Sequence, residues 1–250
     1  MTDQCLRAIT TRVKDQFDGE VIVVDNNSRS PEWQPLKEKW SKFGIQFIES
    51  AKNIGFGQGN ELGIRQSAGE YVLIMNPDVE VREGAIETMI RYMDTHRDVG
   101  IVGPQLIYPN GIVQNSYRAF PIPTDLIIKR SITLGKKHFF ENQVREYLML
   151  DKDPNETDEV DWLVGACLLV RRKALDEVGS FDPRFFLFFE DTDLCRRMWM
   201  KNWRVIYLPV AKATHHKEER LSGNDILSSL GKKTFWIHIA SAMKYFWKWR

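Results

Sequence analysis

Two aspartates follow apolar runs of the sequence, at points where buried strands would end. Asp25 follows Glu20–Val24, and Asp78 follows Tyr71–Met75. Asp78 is a candidate ligand for Mg²⁺ or Mn²⁺, because these ions prefer oxygen donors and one carboxylate suffices when substrate phosphates supply the rest. The alternative is a plain turn, since Asn-Pro-Asp at 76–78 is ordinary turn chemistry.

Asp25 opens the polar stretch Asp-Asn-Asn-Ser. Its carboxylate could accept hydrogen bonds from a ribose or from the edge of a base. A turn or helix-cap aspartate would have the same sequence context, so this alternative stays open.

Glu190 and Asp191 follow a stretch with five phenylalanines between Phe181 and Phe189. Burial beside such an apolar loop would raise a carboxyl pKa towards the range in which a general base works. Both residues also suit the first turn of a helix, where acidic side chains interact favourably with the helix dipole. These two descriptions are compatible. Asp193 is predicted to cap the helix that follows.

His215 could donate a nitrogen to the same cation or contact a diphosphate, whereas a lone histidine is more often structural. If His215 faces the site, we expect its neighbour His216 to face away. The glycine-rich stretch Gly55-x-Gly57-x-x-Asn60 resembles a dinucleotide fingerprint, but it lacks the third glycine and the acidic residue that should follow. We therefore interpret it as a tight turn that begins a helix.

Strands and helices alternate along the chain and must position these residues. Strands are predicted at 20–24, 44–48, 71–75, from 101, within 162–170 and at 204–208; helices are predicted from the glycine-rich turn to about 67, at 83–96 and at 173–178. This alternation predicts a doubly wound α/β sheet with ligands at the carboxyl ends of its strands. We expect the first strand to be buried on both faces and residues 108–159 to be irregular and to form the acceptor side.

Composition limits the class of protein. The formal net charge of +1 argues against a nucleic-acid binder. The three cysteines form no CxxC pair, which favours a reducing cytoplasm over a disulfide framework. No apolar run reaches the roughly 18 to 20 residues of a membrane span, and no signal peptide is recognised.

The order of these motifs resembles glycosyltransferase family 2, and in particular its rhamnosyltransferase-like branch. The nucleotide-binding half of the resemblance rests on Val21 to Ser28, on Asn53-x-Gly55-Phe56-x-x-x-Asn60 and on Asn76-Pro77-Asp78-Val79. The acceptor half rests on Gly165-Ala166-Cys167, Gly179-Ser180-Phe181-Asp182 and Phe189 to Cys195. The resemblance covers roughly residues 5 to 216.

The resemblance implies a GT-A fold and an inverting, single-displacement transfer from a dTDP- or UDP-linked sugar to a glycan or lipid-linked acceptor. It assigns Asp191 as general base with Glu190 beside it, and Asp78 and His215 to Mg²⁺ or Mn²⁺. The nucleotide-sugar site would be lined by Asp25, Asn27, Asn53, Gly55, Asn60, Asn76 and Asp78. Because Asn76 replaces the first acid of the Asp-x-Asp found elsewhere in the family, metal binding is expected either to be weaker or to depend more on the phosphates.

One departure concerns the first strand of the family. Cys5 to Ile9 already matches the helix that follows this strand, so the usual first strand is missing from the doubly wound mixed sheet. Losing a central strand would cost more than the roughly 5 to 15 kcal/mol of a domain's stability. We therefore expect a start about 12 to 15 residues upstream of Met1.

The last residues, 227–250, are predicted to form one amphipathic helix with Phe, Trp and Lys side chains. Such a helix suits a membrane interface, and the alternative is packing on the catalytic domain or in a homodimer. We expect residues 1–220 to form the transferase domain, divided near 105 into nucleotide and acceptor halves, and residues 221–250 to form a tail. The expected location is cytoplasmic, peripheral on the inner face of the plasma membrane.

Two other functions share features with this sequence. Enzymes that transfer a nucleotidyl group to sugar phosphates use a similar α/β sheet. The basic glycine-rich loop that they need near the N-terminus is missing from this sequence. A non-catalytic nucleotide-binding or scaffolding relative is supported by the missing strand alone. A relative that had lost its catalytic function would not be expected to keep all its site residues. The joint presence of Asp25, Asp78, Asp191 and His215 therefore argues against the non-catalytic alternative.

Overall fold

The computed structural model describes residues 1–13, 19–124, 141–216 and 233–250 of the chain. Its helices are α1 (Thr2–Val13), α2 (Trp33–Ser41), α3 (Phe56–Gln66), α4 (Ala85–Thr95), α5 (Glu141–Tyr147), α6 (Arg172–Val178), α7 (Glu190–Met200) and α8 (Lys233–Lys248). Its strands are β1 (Ile22–Asp25), β2 (Gln46–Glu49), β3 (Tyr71–Met75), β4 (Val79–Val81), β5 (Val99–Ile107), β6 (Tyr117–Arg118), β7 (Asp158–Glu159), β8 (Trp162–Leu163), β9 (Cys167–Arg171) and β10 (Arg204–His215).

A mixed six-stranded sheet forms the centre of the molecule. Its strands lie in the order β3-β9-β5-β10-β4, with β7 paired to β10. Strands β5 and β10 are parallel, whereas β9 runs antiparallel to both β3 and β5. Every residue of β5 is buried, as expected for a strand in the middle of a covered sheet. The predicted mixed α/β fold is confirmed.

The side chains of the central strands point alternately to the two faces of the sheet, where they form two apolar cores. Ile101 and Val170 belong to the core that also contains residues of α6 and α7. Val102 and Leu169 point to the opposite core, which is closed by α4. The apolar positions of α4 recur at helical spacing, and its residues Met89 and Met93 are fully buried there.

Strands β1 and β2 form a separate parallel sheet. Helix α3 packs closely on this sheet. At Gly63 the helix lies so near to β1 that an added Cβ would be 3.4 Å from Val24 Cγ2. Leu6 of α1 joins Trp40 and Ile45 in a small core against this sheet. The expectation that the first strand is buried on both faces is wrong: all four residues of β1 are half-buried, and among the described strands β1 pairs with β2 alone.

Several boundaries differ from the predictions. The polar segment after Ser28 contains α2, whose apolar residues lie at helical spacing and bury Trp40. Residues 108–159 are not wholly irregular, because α5, β6 and β7 lie there; 125–140 fall outside the described residues. Strand β10 continues to His215, since a register shift between Leu208 and Lys212 absorbs the interruption at Pro209.

Helix α8 is described from Lys233 to Lys248, and the predicted start at residue 227 lies outside the described residues. None of the helices in the described ranges combines the length and hydropathy that crossing a bilayer requires. Cys5, Cys167 and Cys195 are buried free thiols.

Candidate active site

The turn after β1 is tied to the glycine-rich turn by Asn26. Its Nδ2 donates to Gly55 O at 2.8 Å and its Oδ1 accepts from Ile54 N at 2.9 Å. Asn53 Oδ1 accepts from Gly55 N at 3.0 Å. The two loops that the sequence predicts to bind a nucleotide are therefore held together by side-chain amides.

Gly55 begins α3 in a conformation that favours glycine, with φ of 89°. A Cβ at this position would lie 2.2 Å from Phe186 O, and Phe56 N donates to the same oxygen at 2.8 Å. Two residues on, a Cβ at Gly57 would meet Phe181 at 2.8 Å. The glycines thus let the start of α3 lie directly against the phenylalanine-rich loop.

Three of the predicted nucleotide ligands are engaged locally. Asp25 Oδ1 accepts from Ser28 N at 3.1 Å. This is the hydrogen bond expected of a turn aspartate, the alternative to a nucleotide ligand at this position. Asn27 adopts a left-handed φ of 59° and donates to Ala51 O at 3.2 Å. Asn60 Nδ2 donates to Phe56 O within α3 at 3.0 Å. Acceptor capacity remains on the Asp25 carboxylate, which is half-buried at the end of its strand.

Glu190 and Asp191 form the first turn of α7, as the sequence predicts. Glu190 is 4% exposed, and burial together with the neighbouring Asp191 charge raises the pKa of Glu190 to about 8. Asp191 is half-buried and is oriented by backbone donors, with Gly165 N at 3.0 Å from Oδ2 and Thr192 N at 2.7 Å from Oδ1. The two carboxyl groups therefore differ in burial and so in access to a substrate.

One dipeptide connects this carboxylate pair to the Asn76-Pro77-Asp78 turn. Gly165 donates to Asp191, and the next carbonyl, Ala166 O, accepts from Asn76 N at 2.9 Å. A Cβ at Gly165 would also lie 3.4 Å from Phe56. The glycine-rich turn, the carboxylate pair and the turn after β3 thus converge on Gly165–Ala166.

Asp78 and His215 lie side by side, because β4 and the end of β10 pair with Val79 opposite His215. His215 Nε2 is 3.5 Å from Asp78 Oδ1. His215 Nδ1 lies 2.8 Å from Gln114 Oε1; an amide oxygen only accepts, so Nδ1 is the donor of this pair and Nε2 is the nitrogen that faces Asp78. His216 turns towards Glu80, 3.5 Å away, as expected for a neighbour that faces away.

These residues suit a divalent cation. His215 is 2% exposed, and its Nε2 makes no hydrogen bond within the described part of the chain. A buried imidazole with its other nitrogen fixed by an amide is a usual arrangement for a metal ligand. Among the described residues no group of three His, Cys, Asp or Glu side chains surrounds a metal position, so the remaining ligands would be water or substrate oxygens.

The prediction that Asp193 caps the following helix is wrong. Helix α7 begins at Glu190, with Phe189 at the N-cap position. Asp193 lies within the first turn of the helix and is fully buried, and it pairs with Arg197 at 2.9 Å and with Lys248 at 2.7 Å. The sequence spacing Asp193-x-x-x-Arg197 is the one signal that could have indicated this pairing.

Asn26 and Gln114 were not among the predicted site residues, because an amide side chain that orders a loop or orients a histidine has no motif of its own. The model of the family described as "Glycosyl transferase family 2" matches residues 3–179.

Two relatives named as rhamnosyltransferases are similar over most of the chain. An N-acetylglucosaminyl-diphospho-decaprenol L-rhamnosyltransferase of Mycobacterium tuberculosis is 29% identical, covering 91% of this chain and 76% of the relative. Rhamnosyltransferase WbbL of Escherichia coli is 26% identical, covering 90% and 81%. The solved structure of GalNAc-T7 with UDP, GalNAc and Mn²⁺ superimposes with a TM-score of 0.63 at 13% identity. That match covers 85% of this chain but 40% of the solved one, and it concerns the fold alone.

Proposed function

Since this chain belongs to glycosyl transferase family 2 and is a glycosyltransferase, we propose that it is an inverting, metal-dependent enzyme acting on a nucleoside diphosphate sugar. The acceptor would be a glycan or a lipid-linked glycan. The observation that carries the proposal is the convergence on Gly165–Ala166, which joins the Asp191 carboxylate to the turn that ends in Asp78. Acid–base chemistry and charge neutralisation can then act on one bound donor.

Asp191 is the general base. Its carboxylate takes the proton of the acceptor hydroxyl as that oxygen bonds to the anomeric carbon, and the bond from this carbon to the diphosphate oxygen breaks on the opposite face. The configuration inverts, and the nucleoside diphosphate leaves with the bond electrons. Glu190, whose pKa of about 8 keeps it protonated at neutral pH, places no second charge beside the base.

Asp78 and His215 would hold the cation. A bound Mg²⁺ or Mn²⁺ neutralises the charge that develops on the departing diphosphate. Asp25, Asn27, Asn53, Gly55 and Asn60 are proposed to line the nucleoside side, and Asn76 the diphosphate side. The names of the relatives support rhamnose as the sugar. The donor nucleotide is proposed to be dTDP or UDP, as the family resemblance implies.

Thermal melts of the chain with UDP or dTDP, each with and without Mn²⁺, test the donor site. A ligand that binds only the folded state raises the midpoint, so a metal-dependent rise is expected, larger for the correct nucleotide. A cooperative melt that ignores every nucleotide would contradict the proposal.

Substitution of the base tests the reaction itself. Asp191→Asn should lower kcat by about 10²- to 10⁴-fold while the nucleotide-dependent rise in Tm remains. Asp176→Asn, at an exposed position of α6, is the matched control. Equal transfer rates for wild type and Asp191→Asn would exclude Asp191 as the base.

The metal site has its own test. His215→Gln should weaken Mn²⁺ activation at least about tenfold, because one ligand is lost, with His216→Gln as the control on the neighbouring side chain. An unchanged Mn²⁺ titration for His215→Gln would remove His215 from the ligand set.

The outer face of α8 supports contact with an anionic membrane surface. Trp236, Met243 and Trp247 recur along one side of the helix and are 58%, 68% and 68% exposed. Lys233 and Lys244 flank them and are also exposed. Tryptophan and lysine on an interfacial helix match the chemistry of lipid headgroups, in agreement with a location on the inner face of the plasma membrane.

Flotation with vesicles of phosphatidylglycerol and phosphatidylcholine tests this contact. Binding is expected, and the double substitution Trp236→Ala, Trp247→Ala should weaken it about tenfold or more. Leu150→Ala, an exposed apolar residue elsewhere, is the control. Failure to float, with self-association that depends on the same tryptophans, would identify a second copy of the chain as the partner instead.

A further inference from the structure

The loop that leads into the carboxylate pair has an unusual backbone. Phe188 and Phe189 are consecutive and have φ values of 69° and 68°. Bulky L-residues rarely adopt the left-handed region, and such a conformation persists only where its surroundings impose it. The next two residues are Glu190 and Asp191, so whatever imposes this turn also determines where the carboxylates point.

Helix α8 fastens the loop before the carboxylates. Ser241 Oγ donates to Leu187 O and Lys244 Nζ donates to Arg184 O, both at 2.8 Å. The Phe189 ring packs 5.2 Å from the ring of Tyr245. Phe189 is 6% exposed and Tyr245 fully buried, in a cluster shared by the loop and the helix.

The same helix holds α7 just after the carboxylates. The carboxylate of the fully buried Asp193 is 2.7 Å from Lys248 Nζ and accepts from Trp249 Nε1 at 2.9 Å. Arg196 Nη1 donates to Tyr245 OH at 3.0 Å. Glu190 and Asp191 are therefore bracketed by contacts from one element, on both sides along the chain.

We propose that α8 is a positioning element for catalysis, and that Lys248 and Ser241 are the residues through which it aims the Asp191 carboxylate. This inference rests on the proposed role of Asp191 as the base. Neither residue touches the reacting atoms. Lys248 fixes the first turn of α7 through Asp193, and Ser241 fixes the strained turn through Leu187 O. The nucleotide loops are held separately by Asn26.

The test is the kinetics of Lys248→Met. Misplacing a catalytic group by about 1 Å costs on the order of 10²-fold in rate, so kcat is expected to fall about 10- to 100-fold. The KM for the nucleotide sugar should stay within about twofold, and the rise in Tm with nucleotide and Mn²⁺ should remain. Lys248→Arg should restore most of the rate. Lys173→Met, at an exposed position of α6, is the matched control.

Ser241→Ala is the second variant. It removes a single hydroxyl beside Leu187 O and should lower kcat in the same direction, even if Lys248→Met does not fold. A folded Lys248→Met or Ser241→Ala protein with wild-type kcat would overturn the inference, and so would a loss that appears wholly in the KM for the nucleotide sugar. Absence of transfer by the wild-type chain would instead count against the proposed function.

Discussion

At the residue level, the adjacent carboxyl groups of Glu190 and Asp191 have different surroundings. Glu190 is buried and its pKa is raised to about 8, whereas Asp191 is half-buried and accepts hydrogen bonds from Gly165 N and Thr192 N. Neighbouring acids whose environments push their protonation states apart are a common source of distinct roles in one site. Burial favours the neutral form of Glu190, and Asp191 is the more accessible of the two carboxyl groups.

The raised pKa of Glu190 predicts a pH-dependent stability. The folded pKa of about 8 lies above the ordinary glutamate pKa of 4.5, so between these pH values the folded chain keeps a proton that the unfolded chain has lost. The free energy of unfolding should therefore fall as pH rises through this range, by up to about 1.4 kcal/mol per unit. Urea unfolding of Glu190→Gln should lack that slope. The exposed Glu156→Gln should keep it, and equal slopes for wild type and Glu190→Gln would contradict the burial argument.

Gly55 offers a second test at this scale. Gly55→Ala and Gly111→Ala both introduce a side chain at a left-handed φ, 89° and 86° respectively, but an added Cβ meets nothing within 4 Å at Gly111. Both should lose at least about 1 kcal/mol from the backbone conformation. Gly55→Ala should lose further stability and transferase activity, because its Cβ would displace Phe186 O. Equal urea midpoints for the two variants would show that the contact is unimportant.

At the scale of elements, Arg171 joins the end of β9 to α4 and β5. It is 4% exposed, and its guanidinium donates to Val99 O at 2.9 Å, Met93 O at 2.6 Å and His96 O at 3.2 Å. Buried carbonyl groups that lose a charged donor are costly to leave unsatisfied. Arg171 thus stabilises the junction of β9, α4 and β5 without contacting the candidate site.

Arg171→Met is expected to lower the free energy of unfolding by about 3 kcal/mol. The exposed Arg91→Met on α4 should change it by less than about 0.5 kcal/mol. Chemical denaturation of both variants provides the comparison, and similar midpoints would contradict the role assigned to Arg171.

The two faces of helix α8 have different surroundings. Its inner face closes a cluster with Phe185 and Phe189, and its outer face exposes Trp236 and Trp247. Deleting the helix would uncover the inner cluster as well as remove the outer stripe. Substitutions on the outer face therefore separate membrane contact from catalysis more cleanly than truncation.

At the scale of the whole molecule, the described strands divide into a small parallel sheet and a large mixed sheet. Strand β5 is buried along its full length, whereas every residue of β1 is half-buried. Local opening should require less free energy where fewer apolar contacts are broken. Amide hydrogens of Ile22–Asp25 are expected to exchange with deuterium well before those of Val99–Ile107, and nucleotide binding should slow the exchange in β1. Equal protection of the two strands would contradict this ordering.

The family resemblance, the alternation of strand and helix and the first turn of α7 could all be predicted from sequence, because periodicity and motif order are local properties. The turn at Asp25 and the helix at 85–95 could also be predicted from the local sequence. The contact of Lys248 with Asp193 and that of Gln114 with His215 could not be predicted, since in each pair the two residues are far apart along the chain.

Tertiary structure alone decided three features of the candidate site. It brought Asp191 and Asn76 to the single dipeptide Gly165–Ala166, it buried Glu190 more deeply than Asp191, and it laid α8 across the strained turn at Phe188 and Phe189. Each depends on how sheet, loop and helix pack together, because the pKa of a carboxyl group and the direction of its side chain follow from neighbours that its own segment does not contain.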